Sequence, residues 1–126
     1  MSDTILQIKK LNVVFPVFGG ILQREVSRIH AVNNVNLDIM SGKTIGIVGE
    51  SGSGKSTLGK AIINVLKLTA PDVRVNGDII LYPQTNNTIN VLKIKSSQVK
   101  SYRSDLQMIF QDPYSSLNPR MLVGDI

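Results

Sequence analysis

Between Gly49 and Ser56 the chain reads GESGSGKS, three glycines interleaved with small polar residues and closed by a lysine and a hydroxyl. That spacing, G-x-x-x-x-G-K-[ST], is the phosphate-binding loop. Its chemistry follows from the residue types. A triphosphate concentrates negative charge, and a binding protein must meet that charge with donors at close range and no side chains in the way. Gly49, Gly52 and Gly54 let the backbone turn tightly and bring consecutive N–H groups toward the phosphate oxygens. Lys55 supplies a mobile point charge for the β- and γ-phosphates. The Ser56 hydroxyl is a hard oxygen ligand for the Mg²⁺ that a nucleotide carries with it.

Such a loop works only if a strand delivers it and a helix receives it. Thr44 to Val48 (TIGIV) is apolar and reads as a fully buried strand leading into the loop. After the loop, Leu58, Ala61, Ile62, Val65 and Leu66 recur at helical spacing, with Lys60, Asn64 and Lys67 on the opposite face. The start of that helix would aim unpaired N–H groups and a positive dipole end at the same phosphates.

The bulk properties narrow the remaining classes. At 126 residues the chain is at most one domain, large enough for a real core. No apolar run approaches the roughly 18 residues of a membrane span, and no secretory signal opens the chain. The expectation is a cytosolic-side protein that meets a membrane through partners. With no cysteine, disulfides, thiolate metal sites and cysteine nucleophiles are excluded. A net charge of +5 raises nucleic acid as a partner, yet the basic residues are scattered and aromatics make up only 5%, so nucleic acid is not expected.

In chain order, Thr4 to Phe15 reads as a strand, broken by Pro16 and Gly19-Gly20. Ile21 to Ile29 is a polar connection or hairpin arm. Asn34 to Ile39 alternates, with Val35, Leu37 and Ile39 on one face, as in a half-buried antiparallel strand. Pro71-Asp72 marks a loop, and Gly77 to Tyr82 and Thr88 to Leu92 read as strands around a Gln84 to Asn87 turn. Ser96 or Ser97 would cap a short helix through Arg103, and Leu106 to Phe110 reads as a buried strand that presents Gln111 in a loop. The last six residues, MLVGDI, begin a new apolar pattern with no cap or polar tail, so the expectation is a chain cut within an element.

Two segments together, GESGSGKST (49–57) and QMIFQDPYSSLNPRM (107–121), closely resemble the ATP-binding subunits of ABC transporters. The second segment looks most like the branch that imports dipeptides, oligopeptides or nickel, and FPVFGGILQREV (15–26) and AVNNVNLDI (31–39) fit the same branch. The resemblance implies an α/β fold: a P-loop ATPase core with an N-terminal antiparallel β-subdomain, truncated before the helical subdomain is complete. It divides a single domain into residues 1–42, mainly antiparallel β, residues 43–111, the phosphate-loop core, and residues 112–126, the start of the helical subdomain.

It also implies ATP and Mg²⁺ as cofactors, with Gly49, Ser51, Gly52, Ser53, Gly54, Lys55, Ser56 and Thr57 binding the nucleotide, Ser51 to Thr57 supplying the phosphate-facing donors, and Ser56 and Gln111 on the metal. Gln111 would be the glutamine-loop residue, reaching Mg²⁺ or the attacking water and sensing the membrane subunit; Asp112 to Arg120 would face that subunit. The implied partners are the transporter's membrane subunits, a second ATP-binding subunit, identical or related, and a substrate-binding protein acting indirectly. The implied location is peripheral, on the cytoplasmic face of the cell membrane.

Departures from the family pattern are equally legible. The family stacks adenine on an upstream aromatic, and here the candidates for that contact are Phe15, Phe18, Ile29 and His30. The signature motif, the strand ending in Asp-Glu and the switch histidine are absent from the sequence, and nothing visible activates water; Glu50, inside the loop, is a poor base. Two rivals follow: a nucleotide-binding module without hydrolysis, and a soluble P-loop kinase or GTPase. Against the latter, no guanine-reading N-K-x-D is present.

Overall fold

A computed structural model of the protein describes residues 3–83 and 87–111, with the side chains of Ser96 and Ser101 excepted. Its dominant feature is a long hairpin of β1 (Thr4–Gly19) and β2 (Arg24–Met40). Strands β3 (Arg74–Leu81) and β4 (Ile89–Asn90) complete a four-stranded sheet of order β2-β1-β3-β4, every pair antiparallel. Helix α1 (Lys55–Ile62) and the single turn α2 (Leu66–Thr69) lie between β2 and β3 in sequence, and α3 (Val99–Asp105) closes the described part. An antiparallel sheet in this position fits the N-terminal β-subdomain expected above.

The side-chain period of β1 explains why it forms the centre of the core. Leu6 and Ile8 are buried, then Leu11 and Val13, so the alternation skips one residue at Lys9-Lys10. An inserted residue of this kind is a bulge, and the pairing registers of β1 with both neighbours shift there. Val32, Ile79, Leu81 and Val91 pack with these residues, and Leu58, Ala61, Leu66 and Tyr102 join from the helical side. Each fully buried aliphatic side chain contributes roughly 1.5–3 kcal/mol relative to exposure. Residues 34–40 of β2 alternate half-buried and exposed, as their pattern requires.

Several sequence expectations change in the folded chain. Pro16 does not break β1, which pairs onward to Gly19↔Arg24. Because β3 reaches only Val14, β1 is an edge strand at Pro16, where a missing N–H costs no ladder bond. The connection Ile21 to Ile29 is accordingly a hairpin arm, with Ile21, Leu22 and Val26 exposed near its end.

The helix after the loop stops at Ile62 instead of continuing through Leu66. Asn64 adopts φ +55°, a left-handed geometry that asparagine tolerates, and its side chain donates to the Val91 carbonyl at 2.9 Å. Strand β4 is shorter than the predicted Thr88 to Leu92, since Val91–Lys93 tightens into a 3₁₀ turn whose Leu92 N–H is capped by Asn90 Oδ1. The predicted turn at Gln84 to Asn87 lies largely outside the described residues. Helix α3 starts at Val99 after a 3₁₀ turn over Ser96–Gln98, so Gln98, and neither serine, is its N-cap residue.

The two segments expected as buried strands, Thr44 to Val48 and Leu106 to Phe110, belong to no sheet among the described residues. Val48 is 93% exposed and Ile109 98%. A segment apolar on both faces is buried only where parallel neighbours flank it and helices cover both sides. Among the described residues the sheet is antiparallel throughout and pairs with neither segment, so it gives them no such place.

Candidate functional site

The loop folds around its own lysine. Lys55 Nζ donates to the carbonyl oxygen of Gly49 at 2.7 Å, to that of Glu50, and to Ser53 Oγ at 3.2 Å. The ammonium group therefore sits within the bowl of the loop. Ser53 N–H closes the turn on the Glu50 carbonyl at 3.3 Å, and a Cβ at Gly49 would stand 2.7 Å from Ser53 Oγ. Helix α1 begins directly at Lys55. Its N-cap is Gly54, which makes no side-chain cap, so the first N–H groups of α1 have no capping oxygen from that position. Gly54 has φ +93°, and its carbonyl accepts from Leu58 N–H at 2.9 Å. Leu58 and Ala61 anchor α1 in the core and fix the direction in which its N-terminus points.

A cleft of about 340 Å³ opens between this loop and β2. Gly52, Ser53, Gly54, Lys55, Ser56 and Thr57 form one wall, and Ile29, His30 and Ala31 form the other. A second cleft of about 460 Å³ continues past Ala31 and includes Gly49, Val48 and Leu58. Six of the eight loop residues singled out from sequence thus converge on the first cleft. Gly49 borders the second, and Ser51 is exposed and lines neither.

Of the four residues considered for an adenine contact, the fold brings Ile29 and His30 to the loop, while Phe15 and Phe18 border neither cleft. Gln111 is exposed at a bend and lines neither cleft. Its segment does cross α1, since Met108 Cε lies 3.5 Å from where a Cβ at Gly59 would stand. Asp112 to Arg120 lie outside the described residues.

Sequence reading missed Ala31. A Cβ built on Gly54 would stand 2.1 Å from the Ala31 carbonyl oxygen, so the loop and β2 meet backbone to backbone. No side-chain type signals such a contact; only the third glycine of the loop, Gly54, hints at a close approach.

The electrostatically perturbed groups lie elsewhere. Hydrogen bonds from Arg28 and Arg74 hold the Glu25 carboxyl below its ordinary value, tying the hairpin arm to β3. Lys93 and Asn90 do the same for Asp78. Burial pushes the Tyr102 phenol up to about 12, and its hydroxyl donates to the Ile62 carbonyl at 2.7 Å. Among the described residues no group of three or more His, Cys, Asp or Glu side chains is placed to hold a metal ion.

The family model described as ABC transporter matches residues 32–126, which takes in the whole loop and begins just after the Ile29–Ala31 wall of the cleft. The chain belongs to the ABC transporter family. As a member of that family it is similar to the glutathione import ATP-binding protein GsiA of Pectobacterium atrosepticum, 37% identical over 123 residues, and to GsiA of Escherichia coli K12, 38% identical over 124 residues. Each alignment covers 98% of this ABC chain and 18% of the relative. No helix among the described residues is long and apolar enough to cross a membrane.

Proposed function

We propose that this chain forms the triphosphate-binding part of an ATPase subunit that powers ABC-type import of peptides or related small molecules, glutathione and nickel included. One observation carries the reading: the Lys55 ammonium is held inside the bowl of a glycine loop that faces β2 across a nucleotide-sized cleft. The three oxygens that hold Lys55 are neutral, whereas a phosphate oxygen is charged. Exchange of those contacts for β- and γ-phosphate oxygens sets the ammonium against a full opposite charge in place of neutral dipoles, which favours the exchange. Ile29, His30 and Ala31 take the nucleoside side, and amides of Gly52 to Thr57 take the phosphates.

The donor set fits Mg²⁺ arriving on the nucleotide. Ser56 offers an exposed hydroxyl at the cleft, and no carboxylate cage is present among the described residues to hold a resident ion. Ser56 and Gln111 would hold the metal, whose charge offsets that developing on the phosphoryl oxygens. Lys55 binds and orients the phosphates, and helix α1 fixes the loop beneath them.

Hydrolysis needs in addition a carboxylate that orients water, and among the described residues none lines this cleft, Glu50 lying within the loop itself. A second reading, binding without turnover by these 126 residues, is favoured by that observation. In the complete assembly, two such subunits, identical or related, would close on ATP at the cytoplasmic face of the membrane. Gln111 and residues 112–120 would pass that closure to membrane subunits, with a substrate-binding protein acting indirectly. The name of the GsiA relatives supports import as the direction and a small peptide as the cargo class.

Thermal denaturation with and without Mg-ATP tests the binding step. Ligand at about 100 times its Kd adds roughly 2.7 kcal/mol, and Lys55→Ala removes most of that gain. A melting curve unmoved by millimolar Mg-ATP sinks the proposal.

A further inference from the structure

Three residues with left-handed backbone geometry mark the register shifts of three neighbouring strands: Lys10 of β1 (φ +47°) meets Gly77 of β3 (φ +110°), and Asn34 of β2 (φ +49°) lies on the other side of the Leu11↔Val35 pair. The β1–β2 register shifts between Ile8 and Leu11 and again between Leu11 and Val13, and the β1–β3 register shifts between Lys9 and Asn12. At Gly77 a Cβ would stand 2.6 Å from the Lys10 carbonyl oxygen, so β3 presses directly on the bulge. Bulges of this kind bend a strand and raise its twist, so this line is where the sheet is expected to fold.

The backbone groups displaced from the ladder are taken up by asparagine amides. Lys10 N–H donates to Asn36 Oδ1 at 2.9 Å, and Asn34 N–H donates to Asn12 Oδ1 at 2.9 Å. Asn12 Nδ2 returns a bond to the Lys10 carbonyl at 2.8 Å, and Asn36 Nδ2 one to the Asn34 carbonyl at 3.2 Å. Asn12, Asn34 and Asn36 thus form a reciprocal clasp over the fold line.

The position of the clasp gives it a consequence at the cleft. Two residues beyond Asn34, Val32 is buried, and immediately beyond it Ala31, His30 and Ile29 line the cleft. Side chains alternate along a strand with period two, so the loss of one bulge residue turns each of them to the opposite face.

We infer that the Asn12–Asn34–Asn36 clasp is a positioning device for the nucleoside half of the site: it sets which side chains of Ile29–Ala31 face the loop, and so acts on the base of a nucleotide and not on its phosphates. This rests on the nucleotide-site reading above. The phosphate half is built by Gly49 to Thr57 and α1, none of which contributes to the clasp.

Calorimetric titration of the 126-residue chain with Mg-ATP and with Mg-tripolyphosphate, which has the phosphates and no nucleoside, separates the two halves. Asn12→Ala removes the acceptor for Asn34 N–H and is expected to weaken ATP binding by about tenfold while leaving tripolyphosphate within about twofold. Asn34→Gly, which keeps the left-handed geometry and the backbone groups of the clasp, is expected to bind both ligands as the parent chain does. Asn12→Asp, which keeps the acceptor but loses the donor to the Lys10 carbonyl, is expected to bind ATP between the parent and Asn12→Ala, with tripolyphosphate unchanged. Asn36→Ala, which removes the acceptor for Lys10 N–H and the bond to the Asn34 carbonyl, gives the same reading should Asn12→Ala not fold. Parallel weakening of both ligands overturns the inference, as does unchanged ATP binding. A parent chain that binds tripolyphosphate as tightly as ATP overturns it too and leaves the phosphate site standing. A parent chain that binds neither overturns the nucleotide site itself.

Discussion

Gly54 touches Ala31: a single carbon added to Gly54 would stand 2.1 Å from the Ala31 carbonyl oxygen, far inside contact distance. The loop that would hold phosphates is therefore spaced from the strand that would hold the nucleoside by the absence of one side chain. Gly54 also has φ +93°, where a side chain is strained irrespective of space. Gly54→Ala is expected to lower stability by roughly 1–3 kcal/mol from backbone strain alone, and more if β2 is pushed away. Denaturant titration reads the first effect, and loss of the Mg-ATP thermal shift reads the second. A variant with parental stability and shift would mean that the contact relaxes freely.

Ser56 lies at the exposed cleft wall and bonds to nothing the core depends on. Ser56→Ala is therefore expected to leave the melting temperature without ligand within a change of about 0.5 kcal/mol, typical of surface positions. Its effect should appear only in the metal dependence: ATP binding that no longer strengthens when Mg²⁺ is added. Binding measured with Mg²⁺ and with a chelator distinguishes this from simple loss of the site.

Tyr102 fastens α3 to the end of α1 through its bond to the Ile62 carbonyl. Tyr102→Phe keeps the ring and strands that carbonyl, at a cost of about 1–3 kcal/mol in denaturant unfolding. The phenol's raised value has an alkaline consequence. The folded chain holds this proton more tightly than the unfolded chain does, so the contribution is complete below the ordinary 10.0 and is lost as pH rises toward about 12. Tyr102→Phe should flatten that alkaline fall.

At the acid end the order reverses. Glu25, held by Arg28 and Arg74, and Asp78, held by Lys93 and Asn90, sit below their ordinary values of 4.5 and 3.8. The unfolded chain binds these protons first, so their contribution is present above those values and disappears as pH falls through the lowered ones. Both pairs are solvent-exposed, so salt should shrink the effect. Melting temperatures across this acid range, with Glu25→Gln and Asp78→Asn as references, would show the loss; parallel curves for parent and variants would contradict it.

How much of this was readable from residues alone can be judged at particular places. The loop, its lysine and its hydroxyl were legible because they depend on local backbone freedom and on residue type at fixed spacing. The half-buried alternation of Val35, Leu37 and Ile39 was legible because a strand's side-chain period is local. The course of β1 through Pro16 was not, since whether a missing N–H matters depends on which strand lies alongside. The fate of Thr44 to Val48 and of Leu106 to Phe110 also escaped sequence: an apolar run states that it can be buried and says nothing of what covers it.

By itself the sequence determined that a loop with the spacing of a phosphate-binding motif stands at Gly49 to Thr57, because that pattern is written in consecutive residues. Only the tertiary structure decided that Ile29, His30 and Ala31, some twenty residues earlier in the chain, form the opposite wall. It likewise decided that Gly54 meets Ala31, and that a folded line of asparagines lies just behind that wall. The reason is physical: a close backbone approach and a bulge shared by three strands depend on groups distant in sequence, and no single segment encodes them.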